Sequence, residues 1–453
     1  MKTPICDFIR EYRAQNVTRM HMPGHKGVAL TGPEPADITE IAGADELYRA
    51  RGIIRESEDC AASLFGAGRT VYSAEGSSLC IRTMLFLAVL RAAERGLPRR
   101  LLAGRNAHRT LVSAAALLDI EIDWIHPAAE EGLLSCRVLP ETADAMLARK
   151  QYMAVYVTSP DYIGSMADIR GIAAACRRRD VPLLVDNAHG AYLRFLPEDR
   201  HPLTLGADMT CDSAHKTLDC LTGAAYLHIS RDAPAGWAET AEQGMGIFGS
   251  TSPSWLILAS LDRMNAELAG GWRAGLAETA ERVKRLRARL EQAGWRIAGD
   301  EPMKLSIAPR SRGLTGDQLG ALLRAEGIEC EFSDPDYTVL MPSPRTAEAD
   351  WRRLERALDG IPRRPALEDA PPEAPVPERV CPIREAMLAP RETVPAEEAA
   401  GRILADPDAS CPPAVPILMP GERISGEAIR CFRYYGRKEL TVLRGRWETG
   451  GKK

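Results

Sequence analysis

The chain alternates short apolar runs with stretches whose apolar residues recur every three to four positions. Arg100–Ala103, Tyr152–Val157, Val181–Val185 and Ala224–Ile229 are nearly unbroken apolar runs of the length that a strand buried on both faces requires. Between them, Ser113–Leu118 and Ile169–Arg179 carry a helical spacing. Such alternation predicts an α/β domain built on a mostly parallel sheet. Ligands of these sheets gather at the carboxyl ends of the strands, so the residues just after each apolar run carry the most weight.

A helical pattern then runs from Ser254 to Leu290 with a break at Gly270-Gly271. Beyond it, Lys304–Ala308 and Thr338–Met341 read as strands, and Leu319–Glu326 and Glu348–Leu358 as helices, which predicts a smaller α+β domain. Pro362–Pro377, rich in Pro, Ala and Glu, reads as an extended linker. The expected segmentation is an N-terminal segment 1–30, a large domain 31–265, a small domain 266–361, a linker 362–379 and a C-terminal subdomain 380–453. No period of repeat length recurs, which argues against a solenoid.

Composition narrows the function classes. With 45% hydrophobic and 26% charged residues among 453, the chain is an ordinary globular protein. The 58 Lys and Arg against 62 Asp and Glu leave a net charge of −4, so no basic field exists to hold nucleic acid or an anionic membrane. The longest apolar run, Met84–Leu90, is too short to cross a bilayer. Met1–Val17 is interrupted by Arg10, Glu11 and Arg13 and lacks the apolar core of a secretory signal. Eleven scattered cysteines without a Cys-x-x-Cys pair fit reduced thiols, and so a cytoplasmic location. The expected partner is a small molecule.

Three segments could do chemistry. The strand Val181–Val185 ends in Asp186-Asn187-Ala188-His189-Gly190, and a carboxylate at the mouth of a buried strand is costly without a partner. Next comes Cys211-Asp212-Ser213-Ala214-His215-Lys216-Thr217. A lone lysine is ordinarily a solvated charge, but Lys216 precedes the uncharged stretch Leu221–Leu227, and a desolvated lysine can serve as an amine nucleophile or Schiff base. Finally, Gly76-Ser77-Ser78 opens a helix-like run, Leu79–Arg91. Its free N–H groups and hydroxyls suit a phosphate, although an ordinary helix cap reads the same way. A phosphate cradle, a strand-end acid and a lysine, in that order, are the set that holds pyridoxal phosphate. His21 and His25 are spaced like a metal pair, but Pro23-Gly24 breaks the helix such a pair needs, so no metal is expected.

The sequence resembles the Orn/Lys/Arg decarboxylases, in the short form lacking an N-terminal receiver-like domain. The resemblance spans nearly the whole chain. It rests on His21-Met22-Pro23-Gly24-His25-Lys26-Gly27, Asp37-Ile38-Thr39-Glu40, Asp186–Gly190, Ser213–Leu218, Ser250-Thr251-Ser252-Pro253-Ser254-Trp255, Gly313-Leu314-Thr315-Gly316 and Pro420-Gly421-Glu422-Arg423-Ile424. It implies an aspartate aminotransferase-like architecture, fold type I of the pyridoxal phosphate enzymes. It also implies a homodimer or higher homo-oligomer with active sites at the subunit interface, acting on an amino acid. By the same resemblance, Lys216 forms the Schiff base, Asp186 pairs with the pyridinium nitrogen and His189 lies beside the cofactor. Gly76, Ser77, Ser78, Ser213 and His215 match phosphate-binding positions, His108 the residue stacked on the ring, and Thr251 a contact to the neighbouring subunit's phosphate.

The implied reaction is decarboxylation of lysine, arginine or ornithine to the corresponding amine, within polyamine biosynthesis. The distal cation of such a substrate calls for an acid, for which Glu75, Asp161, Asp334 and Glu422 are candidates. Three positions depart from the family pattern: Glu75 where asparagine usually precedes the glycine, Asp161 in place of threonine, and Asn187 in place of glutamate. They leave open an aminotransferase or elimination reaction, or cofactor binding without turnover.

Overall fold

The computed structural model describes residues 1–128, 134–369, 371–407 and 415–445. Among the described residues, seven strands lie between residues 69 and 229: β1 (Arg69–Ser73), β2 (Arg100–Gly104), β3 (Glu121–Ile125), β4 (Ala154–Thr158), β5 (Leu183–Asp186), β6 (Met209–Asp212) and β7 (Ala225–Ile229). The helices α1 (Pro4–Ala14), α2 (Ile53–Phe65), α3 (Ser77–Glu94) and α4 (Arg109–Leu118) accompany them. Two compact units form, and each draws on separate stretches of the chain.

The first unit comprises Met1–Arg99, Leu139–Ser159 and Asp168–Leu276. Its strands run in the order β1-β7-β6-β5-β4. β4, β5 and β6 are parallel, while β7 lies antiparallel to both β6 and β1. The pairing opposes Asp186 to Cys211, Asp212 to Tyr226 and Ser73 to Ala225. Ser73, Asp186 and Asp212 therefore end their strands on one edge, and the loops that follow emerge side by side. α3 packs on β6 and β7. It buries Leu79, Ile81, Met84, Leu85 and Leu87 on nearly all sides, each contributing roughly 1.5–3 kcal/mol. An all-round apolar helix of this kind is a core element, so its N-terminus is held rigidly. The long helical pattern divides at Gly270, as its glycines predict, into Trp255–Ala269 and Trp272–Gln292.

The second unit comprises Arg100–Val138, Pro160–Ala167 and Ala277–Lys453. β2 and β3 form a parallel pair. α4 begins earlier than its apolar spacing predicts, because the His108 side chain accepts from Thr110 N–H and caps it. A four-stranded antiparallel sheet joins β8 (Arg296–Ala298), β9 (Leu305–Ala308), β10 (Phe332–Ser333) and β11 (Thr338–Leu340) in the order β10-β11-β9-β8. Its core is built from Leu286, Trp295, Leu305, Ile307, Leu319 and Trp351. The helix Gly316–Ala325 carries a reciprocal capping box between Thr315 and Gln318. Toward the C-terminus, Leu418, Ile424, Phe432, Leu440 and Val442 form a separate small core. The Arg105 guanidinium, just past β2, grips both carboxylate oxygens of Glu422 at 2.9 and 2.6 Å. Among the described residues, no helix is long and apolar enough to cross a membrane.

Candidate active site

Asp186 closes β5 with its carboxylate buried. Tyr156, on β4, donates its hydroxyl to Oδ2 at 3.0 Å, and Ala188 N–H donates to Oδ1 at 3.2 Å. The Cys211 thiol points at the same Oδ1 from 3.4 Å. Among the described residues no cation pairs with this carboxylate. A buried anion with neutral donors and no counter-charge is an unfinished arrangement, which a cationic ring nitrogen would complete.

Three residues on, His189 is buried and its Nε2 lies 3.2 Å from Lys216 Nζ. Lys216 itself is half-buried on a one-turn helix, Ala214–Thr217, fixed between β6 and β7. His215 N–H and ring Nδ1 both donate to the Ala224 carbonyl, at 3.2 and 2.9 Å, which locks that turn. The strand-end acid and the lysine thus leave adjacent parallel strands and meet through His189.

The N-terminus of α3 stands on the same edge. Gly76 has φ +71° and ψ −178°, a conformation nearly confined to glycine, and a Cβ built there would meet nothing within 4 Å. Ser213 donates to Ser77 at 2.9 Å, tying the helix start to the lysine-bearing turn. Ser78 follows in the first turn. Glu75, exposed, directs Oε1 to Ser250 N–H at 2.5 Å, so its charge is held by a backbone donor beside the open space. Thr251 is exposed, next to that contact. Open space lined by helix N–H groups and two hydroxyls, a buried acid awaiting a cation and an amine between them fit pyridoxal phosphate.

His108 lies in the second unit, half-buried, with Nδ1 engaged by Thr110 N–H and Oγ1 at 3.1 and 2.9 Å. The remaining acids also lie there. Asp161 accepts from Ser135, Gly164 N–H and Ser165 N–H, and burial pushes its carboxyl above the usual range. Asp334 accepts from Asp336 and Tyr337 N–H, and burial pushes it up to about 7. Glu422 is committed to Arg105 and Met419 N–H. His25 is taken up by Asp37 at 3.2 Å and Gly27 N–H at 3.0 Å. Reading the sequence for chemistry missed Tyr156 and Cys211. Tyr156 sits inside an apolar run and Cys211 in a short polar-looking strand, and only the strand pairing brings them to Asp186.

These features place the chain among the pyridoxal phosphate enzymes of fold type I. The fold matches the lysine decarboxylase of Francisella novicida with a TM-score of 0.77 at 16% identity, covering 97% of this chain and 81% of that one. It matches the constitutive lysine decarboxylase of E. coli with a TM-score of 0.76 at 18% identity, covering 98% and 82%. In sequence, residues 3–308 match the Orn/Lys/Arg decarboxylase major domain, and residues 378–439 match the C-terminal domain of the same family. The chain is 31% identical to an arginine decarboxylase of Bacillus subtilis over 94% of its own length and 92% of that protein. It is 27% identical to one of Bacillus anthracis, over 95% and 92%. The chain belongs to the Orn/Lys/Arg decarboxylase family. It is a pyridoxal phosphate-dependent carboxy-lyase acting on a basic amino acid.

Proposed function

We propose that the substrate is arginine, that Lys216 carries the cofactor and that Asp186 faces its ring nitrogen. The contact between Lys216 Nζ and His189 Nε2, beside a buried carboxylate lacking a cation, carries this reading. Four relatives named arginine decarboxylase, aligned over nearly their whole length, support the choice of substrate. Bound here, pyridoxal phosphate supplies the electron sink that accepts the pair left when the Cα–carboxylate bond breaks.

The chain's own residues supply the rest. The first turn of α3, with Ser77, Ser78 and Ser213, binds the phosphate through N–H and hydroxyl donors, assisted by the helix dipole. His215 holds the turn that presents Ser213 and Lys216. Asp186 would pair with the ring nitrogen of the bound cofactor, and Tyr156 orients its carboxylate. Lys216 is the group that would return a proton to Cα, with His189, 3.2 Å from its amine, able to share that proton. Carbon dioxide leaves, and the arginine becomes agmatine with one proton taken up. By the family resemblance, His108 would be the residue that stacks on the bound ring, and Thr251 would reach a second subunit in a homodimer or larger assembly.

We also propose that the enzyme works in the cytoplasm, where its product feeds polyamine formation, and that residues 266–361 and 380–453 act as small domain and C-terminal subdomain. The test is a panel of arginine, lysine and ornithine with wild type and Lys216→Ala, scored by CO2 release, amine product and visible absorption. Arginine is expected to be decarboxylated fastest, with both band and activity lost in Lys216→Ala. Faster release from lysine or ornithine would overturn the substrate, and ammonia or amino-group transfer in place of CO2 would overturn the site roles.

A further inference from the structure

Asp212 ends β6 immediately before Ser213, and the chemistry above gives it no part. Its side chain is wholly buried. Oδ2 accepts from His201 Nε2 at 2.8 Å and from the Asn187 amide at 3.0 Å. His201 Nδ1 accepts from Leu203 N–H at 3.3 Å, which leaves Nε2 as the nitrogen that donates. His228 Nε2 stands 3.9 Å from the same oxygen, with its Nδ1 engaged by Thr70 at 2.8 Å and its ring centroid 4.2 Å from that of Phe65. Burial raises the carboxyl's proton affinity, but His201 and the Asn187 amide outweigh it and hold Asp212 below its ordinary value. Burial also holds His228 down to about 3, so that ring stays neutral. Asp212 is therefore a buried anion at the back of the cofactor edge.

The two residues it joins matter more than the charge itself. Asn187 follows Asp186 directly, and Asp212 lies four positions before Lys216. We infer that Asp212 is a positioning residue, which through Asn187 clamps the loop Asp186–Gly190 to the turn Ser213–Thr217 and so fixes Asp186 and His189 relative to Lys216. The inference rests on the roles proposed above for Lys216 and Asp186. Site groups need tolerances of about 0.5 Å, which loops reach only when a supporting shell locks them. The pairing also accounts for the amide at 187. An acid there would set two carboxylates against each other in a dry interior, so amide and acid form a matched pair. His201, Asp212 and His228 bring three ligand atoms within 4.8 Å of one another, but the His201–Asp212 separation is that of a hydrogen bond.

The test uses the holoenzyme of Asn187→Asp, Asp212→Asn and the double exchange, which restores one amide and one acid across the clamp. Each single variant is expected to release cofactor about tenfold faster on dialysis, followed by its visible band, and to lose about tenfold in kcat with KM little changed. The double exchange is expected to recover at least about half of each loss on a logarithmic scale. Single losses that simply multiply in the double variant would overturn the clamp, as would one equivalent of metal in the purified protein. If the charged variants do not fold, Asn187→Ala removes the clamp without adding charge. Cofactor release about threefold to tenfold faster at nearly unchanged melting temperature supports the inference, and unchanged release overturns it. Lys216→Ala separates the two claims. A visible band that survives in it removes the proposed site and the clamp together, whereas a Lys216-dependent band with wild-type behaviour in the clamp variants removes the clamp alone.

Discussion

Truncating Glu422 to alanine should destabilise the second unit by about 3–5 kcal/mol, the cost of leaving one member of a buried ion pair uncompensated. The side chains of Arg105 and Glu422 are 9% and 5% exposed. Two parallel N–H···O bonds join them, and Met419 N–H adds a third bond to the carboxylate at 2.7 Å. At an effective dielectric near 20, opposite charges about 4 Å apart attract by about 4 kcal/mol. Desolvation of both groups consumes most of that, so the intact pair is worth little against a well-packed apolar substitute. The loss on breaking it is large because the Arg105 guanidinium, 5.4 Å from the Trp124 ring centroid, stays behind without a counter-charge. Arg105→Met should cost a similar amount, while Arg105→Met with Glu422→Leu should cost markedly less than the sum of the single changes. Urea unfolding followed by far-UV circular dichroism measures all three. The differences should persist in about 1 M salt, which erases surface pairs but hardly touches buried ones. A Glu422→Ala protein within about 1 kcal/mol of wild type, or strictly additive single effects, would refute the reasoning.

Three further outcomes follow from the geometry. Tyr156→Phe removes the hydroxyl from Asp186 Oδ2 and should weaken cofactor retention by about threefold to tenfold, read by equilibrium dialysis. Gly76→Ala forces a Cβ into a left-handed conformation. It should cost about 1–3 kcal/mol of stability in thermal unfolding, together with weaker phosphate binding measured by cofactor titration. Asp334 binds its proton more tightly in the folded chain than in the unfolded one, because burial lifts it to about 7. The stability tied to that proton is therefore complete below about pH 4 and is lost as pH rises through about 7, by up to about 1.4 kcal/mol per pH unit. Asp334→Asn, which keeps the acceptor for Asp336 and Tyr337 N–H, should flatten the decline in denaturation midpoints measured from pH 4 to 8.

The strands that fix the site were legible where they were wholly apolar. The run Val181–Val185 pointed to Asp186 because a charge stands out at the end of a buried strand. Lys216 and Gly76-Ser77 stood out by residue types whose chemistry is unusual at such places. β3 was missed because Glu121 and Asp123 interrupt it, and β6 because the four residues Met209–Asp212 look polar. His201, Asp212 and His228 are wholly buried, and nothing local in the sequence records that each finds its partner inside. Arg105 and Glu422 are 317 positions apart, a separation over which no spacing rule operates. Glu75 stands where the resembled family usually has asparagine, and only the fold supplies the Ser250 N–H that receives it.

The one-turn helix bearing Lys216 has a kinetic consequence. Its backbone is bonded from His215 N–H to the Ala224 carbonyl and from Lys216 N–H to the Ser213 carbonyl, so the Lys216 amine can only sweep the arc of its own four-carbon stem. In the role proposed for it, that amine would meet a carbonyl bound at the site with an effective molarity of the order reached by well-oriented intramolecular reactions, about 10⁵ M or more. Small amines added to a chain lacking that side chain would have to compete with a concentration no solution can reach.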